Sequence, residues 1–224
     1  MDPKSEEDYS LHKQCVLLLV VLLAASMAQA GTITFGSDLT DEYNLYNSVY
    51  GSNQFIIPNS AWAPQLPHGS WISYANTGDG AGAISPPNTT IPGPATAVFF
   101  EVLPVGTYFA SLNIFADDTA GVFLEDASNP FGLLLKAPNP VQDGHCAAGS
   151  IGCEVNENWT GSFAVDPSGF SRLRIEAYQR GGGPFGVMYE GTASTVPEPS
   201  SYLLLGGGFI IFGGIRKWRA RSQN

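Results

Sequence analysis

The stretch Leu103–Asp126, LPVGTYFASLNIFADDTAGVFLED, decides the fold class of this chain. Its central part alternates with a period of two residues, which places successive side chains on opposite faces of a β-strand. One face carries Tyr108, Ala110, Leu112 and Ile114, and the other carries Phe109, Ser111, Asn113 and Phe115. Pro104–Gly106 is typical of a turn before such a strand. The stretch therefore predicts a long strand followed by a shorter one at Gly121–Glu125.

Short strands of the same kind are predicted throughout residues 31–195. Besides those of the opening stretch, they are Thr32–Phe35, Gln54–Ile57, Trp71–Tyr74, Ala97–Val102, Phe131–Lys136, Trp159–Val165, Arg172–Tyr178 and Phe185–Glu190. The strands at 159–165 and 172–178 are predicted to form a hairpin, and the polar residues 126–130 join two others. Nine or ten short strands with frequent turn signals favour an all-β fold, an antiparallel β-sandwich.

The first 30 residues predict a signal peptide with a signal helix. Cys15–Ala25 is apolar, and Ala28-Gln29-Ala30 has the small-x-small pattern that signal peptidase recognises. Cleavage after Ala30 would leave a mature chain that begins at Gly31. An uncleaved N-terminal anchor is the alternative, because acidic residues outnumber basic ones before the apolar run.

Near the C-terminus, residues 201–215 predict a single transmembrane helix. The fourteen residues Tyr202–Ile215 carry no charge, and as a helix they would cover roughly 21 Å of a hydrocarbon core about 30 Å thick. The basic tail 216–224 would stay cytoplasmic and fix the orientation. Its cations are Arg216, Lys217, Arg219 and Arg221. A buried terminal strand or core helix is the alternative.

A proline-rich motif precedes this apolar run, at Val196, Pro197, Glu198 and Pro199. The two prolines keep the backbone extended. VPEP, a glycine-rich apolar segment and an Arg/Lys cluster, in this order, resemble the PEP-CTERM sorting signal of bacterial exported proteins. The resemblance implies processing by an exosortase, a membrane-embedded enzyme similar to cysteine proteases. The predicted domains are therefore the signal peptide 1–30, the ectodomain 31–195 and the sorting signal 196–224.

The ectodomain carries a second resemblance. Leu103–Asp126, followed later by RLRIEAYQRGGGPFGVMYEGTAS at 172–194, is similar to the galactose-binding-like domains common in exported PEP-CTERM proteins. The resemblance implies a jelly-roll-like sandwich. Those domains often have Asn-Gly after the short strand, where Glu125-Asp126 stands in this chain.

Charge and composition narrow the function. Residues 31–195 hold fifteen acidic and four basic residues, so their net charge is −11, and such a surface repels nucleic acid. The chain has no phosphate loop, dinucleotide fingerprint or nucleophile elbow, so we expect no enzyme. A secreted carbohydrate-active hydrolase is the alternative, and it would need two carboxylates facing across a cleft.

Three groups of residues in the ectodomain are candidates for special roles. Cys146 and Cys153 predict a disulfide, since a cysteine pair in an exported domain is normally oxidised; a zinc site or catalytic pair with His145 is the alternative. Asp117, Asp118, Glu125 and Asp126 are candidate calcium ligands, although aspartates also cap turns. Trp62, in a proline-rich loop, is the candidate for stacking on a sugar.

Taken together, these features predict an exported protein of the cell surface or extracellular matrix. Its β-sandwich would be structural or would bind a glycan, with polysaccharide as the extracellular partner. Signal peptidase, an exosortase-type enzyme and the membrane are the other predicted partners. No cofactor is required, and calcium would be at most a structural ion.

Overall fold

Twelve β-strands make up the regular structure of residues 31–39, 42–45, 49–144 and 146–195, which the computed structural model describes. In chain order they are β1 (Gly31–Gly36), β2 (Glu42–Leu45), β3 (Val49–Ser52), β4 (Gln54–Phe55), β5 (Ile72–Ser73), β6 (Ala97–Val102), β7 (Thr107–Asp117), β8 (Thr119–Glu125), β9 (Leu133–Lys136), β10 (Trp159–Ala164), β11 (Arg172–Tyr178) and β12 (Gly186–Thr195). Across these residues no helix has the length and apolar character needed to cross a membrane. The predicted signal helix in 1–30 and the predicted transmembrane segment 201–215 lie outside the described residues.

The strands form two six-stranded sheets. In the first sheet the order is β10-β7-β12-β5-β4, and β1 also pairs with β12. In the second sheet the order is β3-β2-β6-β11-β8-β9. The pairings between strands with an assigned register are antiparallel. The prediction of an all-β, antiparallel fold is therefore confirmed.

One hydrophobic core lies between the two sheets, as in a β-sandwich. The second sheet contributes Phe99, Val122, Leu124, Leu173 and Ile175 to it, and the first contributes Ala110, Leu112, Ile114, Val187 and Tyr189. Within each strand these are alternate residues, because successive side chains point to opposite faces. Truncating a buried aromatic such as Phe99 to alanine would lower the free energy of unfolding by about 3–5 kcal/mol. Burial of these alternate residues therefore stabilises the arrangement in which they face the core.

The structure confirms one predicted strand pairing and contradicts another. The strands joined by residues 126–130 are β8 and β9, and they pair with each other. The predicted hairpin of 159–165 with 172–178 is wrong, because β10 pairs with β7 in the first sheet. β11 lies in the second sheet between β6 and β8. The loop after β10 therefore carries the chain from one sheet to the other.

The turn at Pro104–Gly106 makes a similar crossing, from β6 in the second sheet to β7 in the first. The N–H of Thr107 donates to the carbonyl of Pro104 at 3.1 Å. Gly106 has a φ of +77°, which glycine adopts without steric cost. The predicted turn is confirmed, and it connects the two sheets.

A second hydrophobic cluster covers part of the outer face of the first sheet. Phe115 and Met188 are cross-strand neighbours on β7 and β12, and both alternate with residues of the main core. The loop 56–71 and the segment 146–153 supply the rest of the cluster. Its buried members are Ile56, Trp62, Ala63, Trp71, Phe115, Cys146, Cys153 and Met188. This second cluster leaves the remainder of the same face uncovered.

Candidate functional site

The uncovered part of the outer face of the first sheet is concave and is lined mostly by polar residues. Register places Thr160, Asn113 and Glu190 in one row across β10, β7 and β12, and Ser162, Ser111 and Thr192 in the next. Alternate residues of a strand share a face, so these six side chains lie opposite the core. With Thr34 of β1 and the Pro67-His68 segment they line a groove of about 560 Å³. We call it the polar groove.

One wall of the polar groove is the turn Leu66–Gly69, which is held firmly against the sheet. The N–H of His68 donates to Oε2 of Glu190 at 3.0 Å. A Cβ atom added at Gly69 would lie 2.2 Å from the carbonyl oxygen of Tyr189, so only glycine allows this approach. The turn therefore packs directly on the backbone of β12 at the side of the groove.

Hydrogen bonds orient some polar groups of the groove and leave others available. The hydroxyl oxygens of Ser111 and Thr192 are 2.8 Å apart, and Nδ2 of Asn158 donates to Oδ1 of Asn113 at 2.8 Å. That bond leaves the amide nitrogen of Asn113 as a donor. Among the described residues, no partner engages the hydroxyls of Thr34, Thr160 and Ser162. The groove thus offers donors and acceptors in fixed positions.

The charge of the polar groove is low and negative. Glu190 is the one carboxylate among the described residues that line it. The four basic residues of 31–195 all lie in the described part of the chain, and none of them lines the groove. They are Lys136, Arg172, Arg174 and Arg180. An anionic ligand would find no lysine or arginine here.

An exposed aromatic side chain lies one row beyond the groove. Phe109 pairs with Ala164 of β10 and Ser194 of β12, and it shares the face of Ser111 two residues away. Its side chain is 44% exposed although it is large and apolar. The ring therefore extends the polar rows with an apolar surface.

Trp62, predicted to stack on a sugar, belongs instead to the second cluster. It is 7% exposed, and its ring centroid is 4.3 Å from that of Trp71. Trp71 is fully buried and donates from its ring nitrogen to the carbonyl of Ala63 at 3.0 Å. Because the Trp62 ring is covered by protein, it offers no open face to a ligand.

The four acids predicted as calcium ligands lie at opposite ends of β8. Asp117 and Asp118 precede the strand, while Glu125 and Asp126 end it, and a seven-residue strand spans roughly 20 Å. The structure therefore does not bring the four carboxylates together into one site.

Two of these carboxylates accept hydrogen bonds from backbone N–H groups. Asp118 accepts hydrogen bonds from the N–H groups of Arg180 and Gly181. Asp126 accepts one from the N–H of Asn129 at 2.8 Å and one from that of Asp166 at 3.0 Å. Both aspartates stabilise turns, which was the alternative to calcium binding.

Glu125 has a different kind of partner. It accepts from Nε of Arg172 at 2.7 Å and from Nε of Arg174 at 2.6 Å. The guanidinium groups of these arginines lie 4.1 Å above the rings of Phe100 and Phe123. On this outer face of the second sheet, the carboxylate and the aromatic rings are thus already in contact with the arginines.

Asp117 is the most strongly perturbed acid in the described residues. It is 4% exposed. Burial, followed by the hydrogen bond and the negative charge of Asp118, raises its pKa to about 9, against the lowering effect of a hydrogen bond with Trp62. Its Oδ1 has no hydrogen-bond partner among the described residues. The carboxyl group is therefore protonated at neutral pH.

Cys146 and Cys153 form the predicted disulfide, with Cα atoms 5.9 Å apart. The carboxylate of Glu157 holds the enclosed loop, accepting from the N–H of Gly149 at 3.3 Å and of Glu154 at 2.8 Å. These cysteines and Glu157 are the one group of three metal-ligating residue types found close together in the described part of the chain. Since both sulfurs are in the disulfide, the group lacks the thiolates of a zinc site. His145 lies outside the described residues.

The predicted processing residues also lie outside the described residues. They are Ala28 and Ala30 of the signal peptide, Val196–Pro199 of the proline-rich motif, and the basic residues Arg216, Lys217, Arg219 and Arg221. Their assignment depends on sequence alone.

Comparison with known families bears on the C-terminal part of the chain. Residues 195–220 match the family described as the PEP-CTERM protein-sorting motif. The predicted resemblance is therefore confirmed, and the chain carries a PEP-CTERM sorting motif. A search of curated proteins found no significant match.

Two solved structures show distant likeness to the chain. A family 35 carbohydrate binding module from Clostridium thermocellum has a TM-score of 0.36 at 10% identity, covering 72% of this chain and 98% of its own. The K1 cleaved adhesin domain of Lys-gingipain from Porphyromonas gingivalis W83 has a TM-score of 0.39 at 10% identity, covering 75% and 99%. At TM-scores this low, neither likeness bears on function.

The sequence contained part of the signal for the polar groove. Alternation placed Ser111 and Asn113 together on one face of β7, without assigning that face to the core or to solvent. It could not show that β10 and β12 are the neighbours of β7, because strand pairing depends on contacts between residues distant in sequence. The three strands share one sequence signal, which is polar residues at alternate positions.

Proposed function

We propose that this protein is exported and sorted to the cell surface or extracellular matrix, with exosortase-type processing of its tail. The sorting motif at 195–220 carries the proposal. Signal peptidase would remove residues 1–30. The segment 201–215 would then hold the chain in the membrane with its basic end in the cytoplasm, until the proline-rich motif is processed.

The proposed role of the β-sandwich is structural or glycan-binding. The polar groove supports binding, because it combines fixed hydrogen-bonding groups with a volume in the range of ligand sites. We assign no catalysis to it. Glycosidases that act with two carboxylates need both across a cleft, and Glu190 is the single carboxylate among the described lining residues.

The sorting proposal is tested by replacing Pro197-Glu198-Pro199 with three alanines in the full chain. We expect export to continue while an uncleaved form accumulates in the membrane fraction, because the processing enzyme would lose its recognition motif. Cell fractionation with mass spectrometry of both mature ends measures the result. The same spectra would test cleavage after Ala30.

A matched control replaces Ser222-Gln223-Asn224 with alanines. These residues belong to the same tail but follow the matched motif, so this variant should be processed like the wild type. Unchanged processing and release of the Pro197-Glu198-Pro199 variant would refute the sorting proposal.

A further inference from the structure

We propose that the polar groove binds a neutral polysaccharide. This inference rests on the glycan-binding form of the function proposed above. The groove is open along one face of a rigid sheet, and its wall at Leu66–Gly69 is fixed by the close contact of Gly69 with Tyr189. A preformed site of this kind needs little ordering when a ligand binds.

The hydrogen-bonding groups of the groove match a sugar chain. Each sugar hydroxyl both donates and accepts. The groove presents the hydroxyls of Thr160 and Ser162, the amide nitrogen of Asn113 and the carboxylate of Glu190, so donors and acceptors occur side by side. The bond from Asn158 holds the Asn113 amide in one orientation. Such fixed polar groups give orientation and specificity to a ligand.

The dimensions of the groove suit a short segment of a polymer. Its lining crosses β10, β7, β12 and β1, which at about 4.8 Å per strand is roughly 14 Å. The exposed Phe109 lies one row away and offers a flat apolar surface to the C–H groups of a sugar ring. A chain lying across the strands can therefore use the polar rows and the ring together.

Charge selects a neutral ligand over an anionic one. The groove contains Glu190 and no lysine or arginine among the described residues that line it, and residues 31–195 carry a net charge of −11. Uronic-acid or sulfated polymers would meet repulsion with no lysine or arginine to form a compensating ion pair.

The outer face of the second sheet lacks these properties. Its central acid, Glu125, is already paired with Arg172 and Arg174. The rings of Phe100 and Phe123 are covered by the same arginines. A ligand there would have to displace existing contacts, whereas in the polar groove it would meet unengaged hydroxyls.

The test is affinity electrophoresis of the full chain, extracted from its own cells in mild detergent. The gels would contain soluble β-glucan, xylan, galactomannan or dextran as neutral probes, and alginate or polygalacturonate as anionic probes. We expect retardation by at least one neutral probe and none by the anionic ones.

The double variant Thr160→Val and Ser162→Ala removes two hydroxyls on an exposed edge strand with little change of shape. Two lost hydrogen bonds should weaken binding roughly tenfold. The matched control is Ser52→Ala, which removes an exposed hydroxyl from β3 at an edge of the second sheet. Thermal unfolding of each variant shows that the fold is intact, and Phe109→Ala provides an independent change on the same face.

The outcomes separate this inference from the function on which it rests. Loss of binding in the groove variants with full binding in Ser52→Ala supports the site. Unchanged binding in the Thr160→Val and Ser162→Ala double variant and also in Phe109→Ala overturns the site but leaves glycan binding in place. No retardation of the wild type by any neutral probe overturns the site and the glycan-binding role together, while the sorting proposal is unaffected.

Discussion

Asp117 shows how one buried carboxyl group couples folding to pH. The pKa of an exposed aspartate is near 3.8, and that of Asp117 in the folded protein is about 9. Between these values the folded state binds one more proton than the unfolded state, so stability falls as pH rises. The slope is at most about 1.4 kcal/mol per pH unit. Below pH 4 both states are protonated, and the full stability is present.

Replacing Asp117 with asparagine should remove this dependence, because the amide stays neutral and can still donate to Asp118. We expect the unfolding free energy of Asp117→Asn to decrease less between pH 5 and pH 8 than that of the wild type. Urea unfolding at a series of pH values measures the difference. Asp143→Asn is the matched control, since Asp143 is exposed, and a slope equal in all three proteins would contradict the prediction.

Single residues also show the limits of sequence reasoning. Trp62 stands among prolines in a segment without periodicity, and such a segment predicts exposure. Its burial depends on Trp71 and on the disulfide segment more than eighty residues later. No local pattern contains that contact, whereas the pairing of Cys146 with Cys153 was predictable because they are the two cysteines of the predicted exported domain.

At the scale of elements, the disulfide loop is part of the cover over the first sheet. The hydroxyl of Thr119 donates to the carbonyl of Ile151 at 2.7 Å, and the N–H of Ala63 donates to that of Cys153 at 2.8 Å. The loop thus ties the start of β8 to the segment that carries Trp62. Its contribution reaches beyond the short loop that the disulfide closes, whose cysteines are seven positions apart.

Changing Cys146 and Cys153 together to serine should lower the unfolding free energy. Closing a loop of this length contributes about 2.5 kcal/mol through the entropy of the unfolded chain. We expect the urea midpoint to fall accordingly, and to fall equally when the wild type is reduced. A double variant as stable as the oxidised wild type would show that the crosslink contributes nothing.

Strand pairing was predictable only where partners are neighbours in sequence. The β8–β9 hairpin follows from a short polar connection, and the faces of β7 and β11 follow from alternation. The same alternation fits any partner strand equally well, so it could not separate a β10–β11 hairpin from the observed β10–β7 pair. The polar groove depends on that pair, which is why sequence reasoning found its residues on β7 but not the site.

At the scale of the whole molecule, the charge of −11 on residues 31–195 should make stability depend on salt. Screening reduces the mutual repulsion of the acids. We expect the melting temperature to rise equally with calcium and magnesium chloride at matched ionic strength, because Asp118, Glu125 and Asp126 already bind protein groups. Differential scanning fluorimetry measures it. A rise specific to calcium would restore the structural ion that the sequence suggested.

The position of β12 has a mechanical consequence. This strand is paired with β7 over ten residues, and the sorting motif begins at its last residue, Thr195. A pull directed along the axis of β12 would shear all of these bonds at once, instead of opening them one at a time. The polar groove lies on β12 and its neighbours, so drag on a captured polymer would pass to the tail through adjacent strands. Such a force would therefore act on β12 and its neighbouring strands and not on most of the sandwich.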